Sequence, residues 1–370
     1  MGVPRYSPLD AFHRESGAKM ADFGGWEMPI EYPAASGGGV INEHNAVRER
    51  VGLFDVSHLG KIRVKGKGGN AKEFLNSVFT NDLNRITPGR AQYTMLCDAN
   101  GGVIDDLIAY LMSENEVFLI PNAANTASVV HVLQEQASSD IQIEDCHEKY
   151  AVFALQGPLA KGTLEKVVAV PELDYMSFVE LDVDGDPLII CRTGYTGEFG
   201  FEIIPTWSNA TKIWSSLLNA VHSNSGLIAG LGARDTLRTE MCYPLHGHEL
   251  SLEITPLQAD ASWAVGWKKE NFIGRQSLLA ERESGSKRIL RALRLTDRGV
   301  PRAEMNVYSM DDALIGVTTS GTFSPTLKTG IALALLDPKV QAGEEVTVDI
   351  RGKRIAAVIA KTPLVPSHVR

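Results

Sequence analysis

The sequence predicts an α+β chain of two or three domains that ends in a separate all-β unit. Three observations carry this. Its 370 residues exceed one ordinary core, taking about 150 residues per domain as a guide. Up to residue 282, turn-flanked strands are interspersed with amphipathic helices. From Arg288 onward the character changes to short alternating strands, ILRALRL, ALIGVTTSG, GIALALL and EEVTVDI, each bounded by turns. That last stretch reads as a small barrel or sandwich, and Glu283–Lys287 (ESGSK) reads as the linker to it.

Composition narrows the class. Apolar content of 44% and charge of 22% fit a soluble globular enzyme. The formal net charge of −9 argues against general binding to nucleic acid or an anionic membrane. No run approaches the length of a membrane span, and MGVPRYSPLD lacks the basic-then-apolar pattern of a secretory signal. Cys97, Cys146, Cys191 and Cys242 are far apart, without CxxC spacing. They favour reduced thiols in a cytoplasmic protein over a disulfide frame or a zinc site.

Along the chain, Asn42–Val51 has helical composition, and LFDVSHLGKIRVKG (53–66) then alternates like a strand. Asp55, Ser57 and His58 lie too close together for a nucleophilic triad, whose members are recognised by geometry. A turn with side-chain-to-backbone bonds fits them better. Asn70–Phe79 is a short amphipathic helix. Ala91–Met112 is a hairpin about the turn Asp98–Gly102. Its second strand is apolar on both faces yet holds Asp105 and Asp106. Successive strand side chains point to opposite faces, so at most one of the two faces a given cleft, and the other needs its own partners. Periodicity does not choose between a catalytic carboxylate and a pair at a wet edge or helix cap, nor between the two residues.

Glu116–Pro121 is a strand that runs into Asn122–Asn125, a cap for the helix Thr126–Gln136. By default Asn122 is only that cap; otherwise its amide meets a ligand. Tyr150–Gln156 is a buried strand leading to a helix near 159–168. Phe178–Val183 and Pro187–Arg192 form a second hairpin. Then RTGYTGEFGFEI (192–203) places glycines at 194, 197 and 200. This spacing matches no nucleotide loop. Either it is a tight turn, or the glycines let a flat ring approach the backbone, with Tyr195 packing on it and Glu202 accepting from ring N–H donors. After the helix Asn209–Val221, capped by Ser208, GLGARDTLRTE (230–240) starts another helix. Arg234 in its first turn either binds an anionic or carbonyl group or pairs with an internal carboxylate. His246 and His248 have no third metal-ligand residue at a suitable spacing.

Taken together, these motifs resemble the aminomethyltransferase, or T-protein, family of the glycine cleavage system. The resemblance runs essentially end to end through SPLDAFHRESGAKMADFGGWEMP, LFDVSH (53–58), GGVIDDL (101–107), LQGP (155–158), TGYTGEFGFE (193–202), GLGARDTLR (230–238), TSGTFSPTL (319–327) and a C-terminal KTPLVP. It implies a three-domain, cloverleaf-like folate-binding α+β fold with a C-terminal β-barrel. The implied division is 1–60 with 145–235, 61–144 with 236–282, and 285–370. It also implies transfer of the methylene carbon of an aminomethyl group from the lipoyl arm of H-protein to tetrahydrofolate. The products are 5,10-methylenetetrahydrofolate, ammonia and the dihydrolipoyl carrier, and neither metal nor nicotinamide takes part.

The family pattern makes Asp106 the catalytic acid and places Glu202 on the pterin edge. Tyr195 and Tyr93 would pack on the ligand, Arg234 would hold the folate, and Asn122 would be a secondary contact. Leu59 stands beside the ring where relatives often have Met. Three departures stand out. Arg238–Cys242 reads RTEMC in place of RLEAG, which changes local packing but keeps the charged pair. Val369 takes the place of a C-terminal Tyr, and Gly37–Gly39 is an unusual loop. Two relatives by fold compete with this reading. One is the folate-binding half of dimethylglycine- or sarcosine-oxidising enzymes, but no dinucleotide fingerprint is present. The other is a non-enzymatic iron–sulfur assembly factor, whose KGC-[YF]-x-G-Q-E run is replaced here by TGYTGEFG.

Overall fold

The computed structural model describes residues 4–67 and 70–370. Two mixed α/β layers and a barrel make up the body. A six-stranded sheet runs in the order Phe178–Val183, Asp186–Cys191, Gly200–Pro205, Phe153–Gln156, Gly52–Asp55, Leu227–Ile228. A five-stranded sheet runs Ala91–Cys97, Val103–Ser113, Glu116–Ile120, Ile62–Gly66, Ile141–Asp145. A three-stranded sheet of Arg5–Tyr6, Trp26–Glu31 and Lys19–Phe23 precedes them.

Strand alternation sorts each sheet's side chains between two cores. In the six-stranded sheet Leu53, Phe153, Leu155 and Ile203 pack with Trp214, Leu217 and Val221 of the helix Ala210–Ser223. Phe54, Ala154 and Ile204 point the other way, into a cluster shared with Tyr110, Phe118 and Ile120 of the five-stranded sheet. In that second sheet Leu107, Ala109, Leu111 and Leu119 meet Leu75, Val129 and Leu133 from the helices Asn70–Val78 and Thr126–Gln136. The central strands of both sheets are therefore buried on both faces, while the edge strands Phe178–Val183 and Ile141–Asp145 are partly exposed. This is why the central strands read as near-continuous apolar runs.

The C-terminal strands close into a six-stranded barrel, Ile289–Leu295 pairing with both Thr329–Leu336 and Lys353–Ala360. The choice between barrel and sandwich is settled by that closure. The barrel is tied to the body through the helix Leu231–Glu240. Arg238 donates to Ser320 Oγ (2.7 Å) and Glu240 accepts from Thr326 Oγ1 (2.9 Å).

Several expectations need correction. The run 53–66 is two strands in different sheets, Gly52–Asp55 and Ile62–Gly66. The turn between them is built by its own polar groups: Asp55 Oδ1 accepts from Ser57 N (2.9 Å), and Lys61 Nζ donates to the carbonyls of Ser57 and Leu59 (both 2.8 Å). The expected linker starts inside a helix, Arg275–Ser284, which ends at Gly285 in a positive-φ conformation. The helix after Gly157 is shorter than expected, Ala160–Leu164. Ser208 does not cap its helix; its hydroxyl meets Thr206 Oγ1 instead.

Candidate active site between the two sheets

The parity of the strand Val103–Ser113 separates the adjacent aspartates. Asp105 lies on the Leu107–Ala109–Leu111 side, under the helices, and Asp106 on the Ile108–Tyr110 side, facing the other sheet. Asp105 is fully buried and bonded throughout. It accepts from Asn122 N (3.0 Å), Asn122 Nδ2 (2.8 Å) and Asn125 Nδ2 (2.7 Å). It anchors the loop that starts the helix Thr126–Gln136. Asp106 is partly buried. Its Oδ2 accepts from the Tyr93 hydroxyl (3.0 Å) and its Oδ1 from Asn122 Nδ2 (2.9 Å). Asn122 is therefore not a side-chain helix cap, as the default reading had it. Its amide joins the two acids.

Electrostatics distinguish the pair further. Burial and the neighbouring charge of Asp106 push Asp105 well above the usual carboxylate range. Burial also raises Asp106, but the Tyr93 hydroxyl, the positive side of His246 and Asn122 oppose it. Adjacent like charges titrate as a unit, and the donors that favour the ionised form reach Asp106 from Tyr93 and Asn122. The site thus presents one carboxylate at 106 beside a structural acid at 105.

Glu202 comes from the facing sheet. It shares its parity with Ile204 on the strand Gly200–Pro205, so it points toward the five-stranded sheet. Its Oε2 accepts from Thr193 Oγ1 (2.6 Å) and from the Tyr110 hydroxyl (3.3 Å). Tyr110 stands on the Asp106 face, four residues along. At about 3.3 Å per residue the two positions are roughly 13 Å apart along the strand. Tyr110 therefore ties Glu202 to the strand and face that carry Asp106.

Arg234 enters that space from the helix Leu231–Glu240. Its guanidinium lies 4.6 Å from the centre of the Tyr195 ring. Among the described residues it has no ion-pair or side-chain hydrogen-bond partner. Burial lowers its pKa, against the charge of Glu202 and the Tyr195 ring. The internal Arg–carboxylate pair considered for it belongs to Arg238, which meets Asp235 and Glu249 (2.8 Å each). The charged pair expected within Arg238–Cys242 is accordingly two separate networks, since Glu240 pairs with Arg48 (2.8 Å). Tyr195 donates to the Pro244 carbonyl. Burial raises its pKa and the charge of Asp106 reinforces this, which places Tyr195 near Asp106. Leu59 packs in the same cluster as Ile108, two residues from Asp106 on the same face.

The glycine run is not a platform for a ring. A side chain at Gly194 or Gly200 would strike the Gln156 amide, and one at Gly197, where φ is +83°, would strike Met241. Gln156 fills the space, donating to the carbonyls of Thr193 (3.1 Å) and Phe201 (3.2 Å). Thr193, Tyr195 and Glu202 of this run reach the site.

The structure adds residues that sequence reasoning missed: Tyr110 and Thr193 on Glu202, His246 beside Asp106, and Trp263 stacked on Tyr93 at 5.3 Å. Apart from Thr193 with Glu202, nine residues apart, these pairings join distant segments and leave no local signal. His246 Nε2 donates to the Val103 carbonyl (3.0 Å), while His248 Nδ1 donates to the Thr319 carbonyl (2.8 Å). Among the described residues no group of three His, Cys, Asp or Glu is arranged to hold a metal.

Carboxylates on facing sheets, an unpaired guanidinium and tyrosine rings suit a flat heterocycle with hydrogen-bonding edges. The class these features define is a small-molecule-binding protein, an α+β body with an appended barrel. Comparisons with known proteins agree. The family model described as the GCVT N-terminal domain matches residues 9–269, and that of the glycine cleavage T-protein C-terminal barrel domain matches 288–366. An aminomethyltransferase of Parafrankia sp. (strain EAN1pec) is 55% identical over 370 residues, spanning 100% of both chains. One from Mycobacterium avium (strain 104) is 52% identical over 367 residues, 99% of this chain and 98% of that one. The crystal structure of glycine cleavage system aminomethyltransferase T from Bartonella henselae matches with a TM-score of 0.91 at 33% identity, covering 99% of each chain. The chain belongs to the glycine cleavage T-protein family. It is an aminomethyltransferase, and its reaction is transfer to tetrahydrofolate within the glycine cleavage system.

Proposed function

We propose that the pterin of tetrahydrofolate lies between the two sheets, with Asp106 at its reacting nitrogens and Glu202 on its far edge. The observation that carries this is that Asp106 and Glu202 point from facing sheets toward one another's side, with Tyr110 of the Asp106 strand bonded to Glu202 and Arg234, unpaired among the described residues, over the Tyr195 ring. Glu202 offers acceptors to ring N–H groups, and Arg234 offers donors to a carbonyl or carboxylate of the same ligand. Tyr93, Tyr195 and Leu59 supply apolar walls, and Asn122 holds Asp106 in place.

The one-carbon unit arrives on the lipoyl arm of H-protein as a sulfur-bound aminomethyl group. Its C–S and C–N bonds break as two C–N bonds form to the folate nitrogens. The two folate N–H protons pass to the leaving amine, which departs as ammonia, and to the carrier thiol. Asp106, as the carboxylate facing the inter-sheet space, favours the cationic methylene species between those steps and stands where it can accept a folate proton. This chemistry needs no metal. A cytoplasmic location completes the reading, and four free cysteines, three of them buried, are consistent with it.

Ammonia release from aminomethylated H-protein, with and without tetrahydrofolate, tests the function. Folate-dependent release is expected. Background-level release unaffected by folate would contradict it and favour the binding-factor alternative. Equilibrium binding of tetrahydrofolate to Glu202→Gln tests the site, and unchanged affinity would remove Glu202 from it.

A further inference from the structure

We propose that Trp263 is a positioning residue for the reaction, holding by its ring stack the phenol that donates to Asp106. The inference rests on the assignment of Asp106 given above. Trp263 lies in the short turn Ser262–Ala264, whose backbone is fixed: the Ala264 carbonyl accepts from Thr80 Oγ1 (2.9 Å), and Gly266 N donates to the Thr80 carbonyl (2.7 Å). Ala261, Ala264 and Val265 are buried with Met95, beside Tyr93. The Trp263 side chain is 65% exposed on this anchored turn. Its contact is the Tyr93 ring, stacked at 5.3 Å and 28°.

Tyr93 is partly buried, with one side of the residue against the cluster of Met95, Ala264 and Val265 and its ring stacked on Trp263. Its hydroxyl must stay 3.0 Å from Asp106 Oδ2. An offset stack with a large ring on a fixed backbone restrains it there. The titratable groups around Asp106 are Asp105, adjacent but on the other face of its strand, Tyr93 on the neighbouring strand, His246 from the loop beyond the helix Leu231–Glu240, and Tyr195 from the glycine-rich turn. Its side-chain hydrogen-bond donors among the described residues are Tyr93 on Oδ2 and Asn122 on Oδ1. Loosening Tyr93 therefore removes one of two donors that stabilise the ionised form.

The test uses the full-length protein with Trp263→Ala, Trp263→Phe, Tyr93→Phe and the double variant Trp263→Ala/Tyr93→Phe. Carboxyl-carbon NMR reads the apparent pKa of the Asp105–Asp106 pair without needing turnover. Trp263→Ala is expected to raise it in the same direction as Tyr93→Phe, with no further rise in the double variant, and Trp263→Phe to restore it. In kinetics, the acid limb of the kcat profile of Trp263→Ala should move to higher pH, with kcat on that limb lower by about threefold to tenfold and recovered on the plateau above it, while KM for tetrahydrofolate stays within twofold. A pKa that moves with Tyr93→Phe but not with Trp263→Ala overturns the proposal. So does a raised KM without a shifted acid limb, which would make Trp263 a ligand contact. Should Asp106→Asn retain turnover, the assignment of Asp106 falls, and the NMR comparison still decides the role of Trp263.

Discussion

The aspartate hairpin and the glycine-rich turn look equally anomalous in the sequence, yet the fold uses them for opposite purposes. Acids within the apolar strand Val103–Ser113 serve the site, because a buried carboxylate must be either satisfied or put to use. Asp105 is satisfied by Asn122 and Asn125, and Asp106 is left facing the inter-sheet space. Glycines at 194, 197 and 200 serve packing alone, since Gln156 and Met241 occupy the volume their side chains would need. A missing Cβ reports that something comes close. It does not report whether that something is a ligand or the protein itself.

The largest effect expected from this contrast is on turnover. Asp106→Asn keeps the shape but removes the charge, and kcat should fall about 10²- to 10³-fold with little change in thermal stability. Activity within tenfold of wild type would move the chemistry elsewhere. Gly194→Ala should do the reverse, lowering stability by about 3 kcal/mol through a forced shift of buried Gln156. Its kcat per folded molecule should change far less, as judged by denaturant unfolding beside active-site titration. If Gly194→Ala folds normally and loses folate affinity, the ring-platform reading of the turn returns.

Asp105→Asn comes next. An amide presents N–H groups where three donors already point, so a loss of about 2 kcal/mol is expected, with kcat reduced less than tenfold. Comparable loss of turnover at unchanged stability would erase the distinction between the two acids.

Much of the architecture was legible beforehand: the hairpin, the main helices and the change of character at Arg288 all follow from periodicity and turn residues. The facing of the acids was not. Period 2 identifies a face only when one side is polar, and the strand Val103–Ser113 is covered by helices on one side and a second sheet on the other. The run 53–66 misled for a related reason. Its alternation continues through Asp55, Ser57 and Gly60, and only tertiary bonds show that the chain changes sheets there. Tyr110 with Glu202, and Trp263 with Tyr93, are pairings between segments with no sequence mark at all.

The smallest expected effect concerns Lys61, the cationic counterpart of Asp105 in being buried and bonded yet outside the chemistry. Its Nζ donates to two backbone carbonyls in the turn between the sheets. Burial brings its pKa down from 10.5 to about 7, against the attraction of Asp55 and other acids. Between those values the unfolded chain binds a proton that the folded one does not, so folding is favoured as pH rises through that window and the gain is lost as pH falls through about 7. Relative to Lys61→Met, which cannot titrate, wild type should gain about 1 kcal/mol per pH unit between roughly pH 7.5 and 9.5. Urea unfolding of both proteins across that range measures the difference directly. A flat difference would mean that Lys61 keeps its proton in the fold. The turn would then hold a buried charge, as the Asp106 side of the hairpin does, and burial with backbone partners would no longer separate structural groups from reactive ones.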